Sequence, residues 1–273
     1  MGSGEKHMDT ELKKTVEDYI ENRLTIKKEP EDDSLLIATW EKWLAEMEPV
    51  KIINEKLIAK HPYSFTQPSE IAMELYDSIG GTIPVIIFGN DDDFEHFVIN
   101  ATYKGEWTDE VKKQGAAFLF GKMNRFIALS KKTYSNVEAS WMGLTEDEWR
   151  EKSMIIRRSH ECTHYYTRRY YGSARQNLHD ELIADFFGIY DAFGRYEARW
   201  FNHFMGLDGR KDGRMSIYTV DLPKEACKEI YTIAGRCSVF LENWSKTAEF
   251  ANMTRTQRID YLCHLGIANF IVL

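Results

Sequence analysis

The stretch HECTHYYTRRYYGSARQNLHDELIAD, from His160 to Asp185, holds five residues whose spacing can do chemistry. His160 and His164 stand four apart. On an α-helix that spacing puts both imidazoles on one face, about 40° apart in rotation and one turn apart along the axis. Two neutral nitrogen donors so placed suit two corners of a tetrahedral or five-coordinate metal site. Glu161 is turned about 100° from His160, within reach of a water at the metal without itself being a ligand. A third ligand has to come from elsewhere, and Glu181 follows on a second helix after a turn around Gly172. Asp185, one turn beyond Glu181 on the same face, can accept the ring N–H of a liganding histidine and fix its tautomer. Three protein ligands would leave one position for water, which is the arrangement of a catalytic site. The bland alternative is a pair of polar helices in which these letters coincide by chance.

HECTH followed by DELIADFFG resembles the gluzincin group of zinc metallopeptidases, and thermolysin-like enzymes in particular. The resemblance implies zinc ligation by His160, His164 and Glu181, with Glu161 as general base and Asp185 supporting a histidine. The sequence departs from those enzymes in the shorter spacing from His164 to Glu181. It also carries no marked donor for the transition state.

Other residues compete for roles around these five. Arg157 and Arg168 fall on the metal-facing stripe of the helical wheel, where a guanidinium can clamp a substrate carboxylate or phosphate. The competing reading makes them structural, paired with acids of the opposing helix. Tyr218, in GRMSIYTV, is the expected oxyanion donor, because something must reach the site from beyond the second helix. His179 is a possible fourth ligand, which would close the site and make it structural. The segment Asn136 to Trp141 is a candidate binding strand, since the resemblance also implies an edge strand near this place that pairs with extended substrate; a plain loop is the alternative. Cys162 points away from the metal face and reads as a packing residue.

The elements that must position these residues are legible in outline. MGSGEKHM reads as an expression-tag remnant (residues 1–8) and is set aside. DTELKKTVEDYIENRL and SLLIATWEKWLAEME read as helices, the second capped by Ser34, and EIAMELYDSIGG as a third. TIPVIIFGN reads as a buried strand, FEHFVINATYKG as its neighbour and NRFIALS as a third strand. Thr145 and Glu148 form a capping box at the start of the motif helix, which runs to about Gly172. A second helix is expected from about Leu178 through Phe204, and LPKEACKEIYTIAGRCSVFLENW as another. The expected fold class is α+β: a mixed N-terminal lobe over 9–140 with a small sheet, and a helical lobe over 141–273. The metal site would lie in the cleft between them.

Bulk properties narrow the function classes. The formal net charge of −8 argues against nucleic acid as a partner. No apolar run reaches the length of a membrane span, and no secretory segment follows the start. Four cysteines without a C-x-x-C pair suit reduced thiols and a cytoplasmic location. The leading expectation is therefore a cytoplasmic zinc hydrolase, a metallopeptidase acting on a peptide or small amide. Two others stand beside it. One is a zinc or iron(II) enzyme of a small metabolite, since two histidines with a carboxylate also bind iron. The other is a non-catalytic, metal-stabilised binding protein.

Overall fold

The apolar run of TIPVIIFGN is a strand at the heart of a four-stranded sheet in the computed structural model, which describes residues 2–121, 124–173 and 177–270. In chain order the elements begin with helices α1 (Gly2–Ile20), α2 (Ser34–Leu44) and α3 (Pro49–Ile52), the last running into a π-turn. Strands β1 (Ile71–Ser78) and β2 (Gly81–Phe88), helix α4 (Asp91–Thr102) and strands β3 (Ala116–Phe120) and β4 (Arg125–Ser130) follow. The rest is helical: α5 (Ala139–Met142), α6 (Glu146–Tyr171), α7 (Leu178–Phe193), α8 (Ala198–Met205) and α9 (Met215–Tyr218). Helices α10 (Lys224–Trp244), α11 (Ala248–Asn252) and α12 (Arg255–Phe270) complete the chain. The class is α+β.

The chain divides into two compact units, residues 30–162 and residues 1–29 with 163–273. This partition differs from the expected lobes: the first helix groups with the C-terminal half, and the division falls inside α6. The segment set aside as a tag remnant is continuous with α1.

In the unit of residues 30–162 the strand order is β1-β2-β4-β3. β1 pairs antiparallel with β2 from Ile71↔Phe88 to Ser78↔Gly81, β2 parallel with β4, and β3 antiparallel with β4. The strands β2 and β4 agree with expectation, and β2 has buried residues at Ile83, Val85, Ile86 and Phe88. Two neighbouring segments exchange character. EIAMELYDSIGG, expected as a helix, forms β1, because its whole length satisfies its backbone against β2 and overrides a helix-compatible spacing. FEHFVINATYKG, expected as a strand, lies largely in α4. There the Asn90 side chain caps the Asp93 N–H at 3.0 Å and three aspartates occupy the first turn. Phe94, Phe97 and Val98 then share one buried face against Phe88, Phe126 and Trp40. The candidate strand Asn136 to Trp141 is instead the end of a 3-10 turn followed by α5.

In the other unit the expected long second helix is broken. Gly194, at φ 68°, ends α7 in the left-handed conformation that favours glycine, and α8 begins at Ala198. The N-terminal segment is pinned to α12. Where Gly266 breaks that helix at φ 72°, Asn22 Nδ2 donates to the freed carbonyls of Cys263 and His264, both at 3.0 Å. Asp260 accepts from Lys27 at 2.6 Å, Tyr166 at 2.7 Å and Tyr171 at 2.8 Å. These tyrosines of the motif helix are packing and anchoring residues. Among the described residues no helix is long and apolar enough to cross a membrane. All four cysteines are thiols outside any disulfide.

Candidate metal centre

Helix α6 starts where the capping box places it. The Thr145 N–H donates to Glu148 Oε2 at 2.9 Å, and Thr145 Oγ1 accepts the Glu148 N–H at 3.3 Å. Acids fill the first turn and Arg168 and Arg169 the last, each complementing the helix dipole. The helix stops at Gly172, whose φ is 68°. Asn177 then caps α7 by accepting the Asp180 N–H at 2.9 Å. This local sequence logic sets His160, Glu161 and His164 on one helix and Asp180, Glu181 and Asp185 on the next.

Among the described residues, His160, His164 and Glu181 each offer a ligand atom, and these atoms lie within 4.8 Å of one another. His160 and Glu181 are buried and His164 is half-buried. His164 Nδ1 is 3.1 Å from Asp180 Oδ2, and its Nε2 is 3.4 Å from Glu181 Oε2. Ligands on a tetrahedral zinc at 2.0–2.1 Å are separated by about 3.3 Å, so this edge already has the required length. His160 Nδ1 is 3.1 Å from the Tyr134 hydroxyl. The donor set of two imidazoles and one carboxylate fits zinc.

The supporting residues only partly match expectation. The carboxylate against His164 Nδ1 is Asp180, a residue the sequence reading did not single out, while the expected support, Asp185, pairs with Arg214. Burial pushes the Asp180 carboxyl up, but the His164 ring and hydrogen bonds from Thr167 and Ser173 outweigh it and hold it below its ordinary value. Burial likewise disfavours the charged His164 ring, yet Asp180 and then Glu181 raise its pKa well above the ordinary histidine value. Asp185, fully buried, is met by Arg214 Nη2 at 2.5 Å, and Nη1 of the same guanidinium meets Glu181 Oε1, also at 2.5 Å. Arg214 thus neutralises two buried carboxylates in one bidentate grip.

Tyr218 also lies here. Burial and then the nearby Glu181 carboxylate push its pKa well above the ordinary tyrosine value. Arg157 is corrected as a substrate clamp. It is buried, and its guanidinium donates to the carbonyls of Ser130 at 2.9 Å and Lys132 at 3.0 Å. Arg168 is half-buried in the last turn of α6. His179 is no fourth member of the ligand group; its Nε2 is 2.9 Å from the Leu262 carbonyl, and burial lowers its pKa. His203 pairs with Asp208 at 2.6 Å. Cys162 is buried as a packing residue.

Sequence reasoning misses Tyr134, Asp180 and Arg214. Asp180 carries a signal, since the residue before a ligand at a helix start shares its surroundings. Tyr134 and Arg214 carry none, being distant in sequence from the residues they support.

No curated protein and no solved structure matches the chain. A family model does, over residues 49–125 and 122–273, a span that includes every donor of this centre. By that match the chain belongs to a family of unknown function, DUF7005.

Proposed function

We propose that the protein is a zinc-dependent hydrolase, most simply a metallopeptidase acting on a peptide or small amide. The observation that carries this reading is the convergence of His160, His164 and Glu181, with Glu161 next to the first of them on α6. A zinc ion held there supplies Lewis acidity toward a substrate carbonyl and toward water. Glu161, half-exposed, takes the proton of the attacking water and delivers it to the leaving amine. Asp180 accepts the Nδ1–H of His164 and so presents its Nε2 as a bare donor. Arg214 binds Glu181 and holds it in place; the Arg214 contact at Oε1 leaves Oε2 facing His164. Three protein donors would leave a bound zinc ion able to take up water or substrate.

The test is Glu161→Gln, assayed for metal content and for cleavage of a peptide library. The variant is expected to keep about one zinc per chain and to lose at least ~10²-fold in turnover. Turnover at the native rate would refute the role of Glu161. Iron in place of zinc in the native protein would redirect the reading to oxidative chemistry.

A further inference from the structure

Helix α6 presents one stripe of residues, Trp149, Ser153, Arg157 and His160, spaced by four, four and three. All four grip the segment that follows β4. Arg157 holds the carbonyls of Ser130 and Lys132, Ser153 Oγ accepts the Tyr134 N–H at 2.8 Å, and Trp149 Nε1 donates to the Val137 carbonyl at 2.7 Å. The grip holds a backbone that local preference resists: Ser135 and Asn136 both sit at φ 54°, in the left-handed region. Its outcome is a buried Tyr134 whose hydroxyl lies 3.1 Å from His160 Nδ1, with the ring edge-on to the imidazole.

We infer that Tyr134 is a positioning residue for the metal: its hydroxyl oxygen accepts the Nδ1–H of His160 and fixes the tautomer that leaves Nε2 as a ligand. The inference rests on the metal reading above and adds to it an assignment that neither the ligand motif nor the family match contains. A neutral imidazole carries one ring proton, and a ring without support divides that proton between its two nitrogens. His164 has its support from a carboxylate, whereas His160 has it from a neutral phenol.

Tyr134→Phe removes the hydroxyl and keeps the ring. Zinc affinity is measured by competition with a chromophoric chelator, alongside the unfolding midpoint of the chelator-stripped protein. The expected result is a roughly 10–100-fold weaker zinc affinity, with the metal-free midpoint little changed. A merely structural role would lower that midpoint and leave the affinity as it is; unchanged affinity overturns the inference. Should the variant fail to fold, ring-nitrogen NMR of the zinc-loaded native protein decides. The His160 proton is expected on Nδ1, and its assignment to Nε2 overturns the inference. If the native protein binds no zinc, the metal reading itself falls, an outcome distinct from native binding with an unaffected Tyr134→Phe.

Discussion

Arg214 bridges Glu181 and Asp185, which stand one helical turn apart on α7, are both buried, and would repel each other without it. Replacing it by methionine keeps most of the volume and removes the guanidinium charge from two buried carboxylates. Breaking a buried ion pair in this way costs about 3–5 kcal/mol. Arg214→Met should therefore destabilise the metal-free protein by that order in urea unfolding, and by less with zinc present, since the cation supplies part of the missing charge. Equal losses with and without zinc would show that Glu181 does not meet the metal. The three convergent donors, His160, His164 and Glu181, as candidate ligands were legible in the sequence because an i, i+4 pair on a helix is a local fact, and Glu181 sits near a helix start that the sequence announces. The partners of those ligands were not. Asp180 and Asp185 present equally good carboxylates on paper, and only the rotation of α7 decides which one meets His164.

Helix α6 both carries the candidate chemistry and braces it, and the brace has one tight point. A Cβ added at Gly115 would lie 2.5 Å from Arg157 Nε and Nη2, on a guanidinium already committed to backbone carbonyls. Gly115→Ala should displace that guanidinium and destabilise by about 1–3 kcal/mol, the usual cost of overpacking. Through Tyr134 it should also weaken zinc binding. Thermal unfolding and chelator competition on the same variant check both, and a neutral substitution would mean that Arg157 relocates freely. At this scale legibility followed the strength of local signals. The capping box, the β-branched run of β2 and the long periodic pattern of α10 all read correctly. β1 and α4 did not, because β1 takes its conformation from strand pairing and α4 from a cap and an acidic first turn that its apolar pattern masked.

For the molecule as a whole, the proposed metal would compete with the proton for His164. In the metal-free fold its pKa is raised, so the proton's contribution to stability is present below the unfolded histidine value and is lost as pH rises through the folded one. Zinc needs the bare nitrogen, so its stabilising increment should run the opposite way. Excess zinc at about 100 times its dissociation constant adds roughly 2.7 kcal/mol, and that increment should shrink as the solution is acidified through the raised His164 value. Calorimetric midpoints across a pH series, with zinc and with chelator, read this directly; a pH-independent increment would exclude His164 as a ligand.

The discontinuity of one unit also has a consequence in time. Residues 30–162 form an uninterrupted stretch, complete once it has left the ribosome, and can begin to fold while the remainder is being made. The other unit needs both ends of the chain. Asn22 and Lys27 are synthesised long before their partners on α12, Cys263, His264 and Asp260. The segment that carries them must therefore wait, unanchored, while all the intervening chain is made.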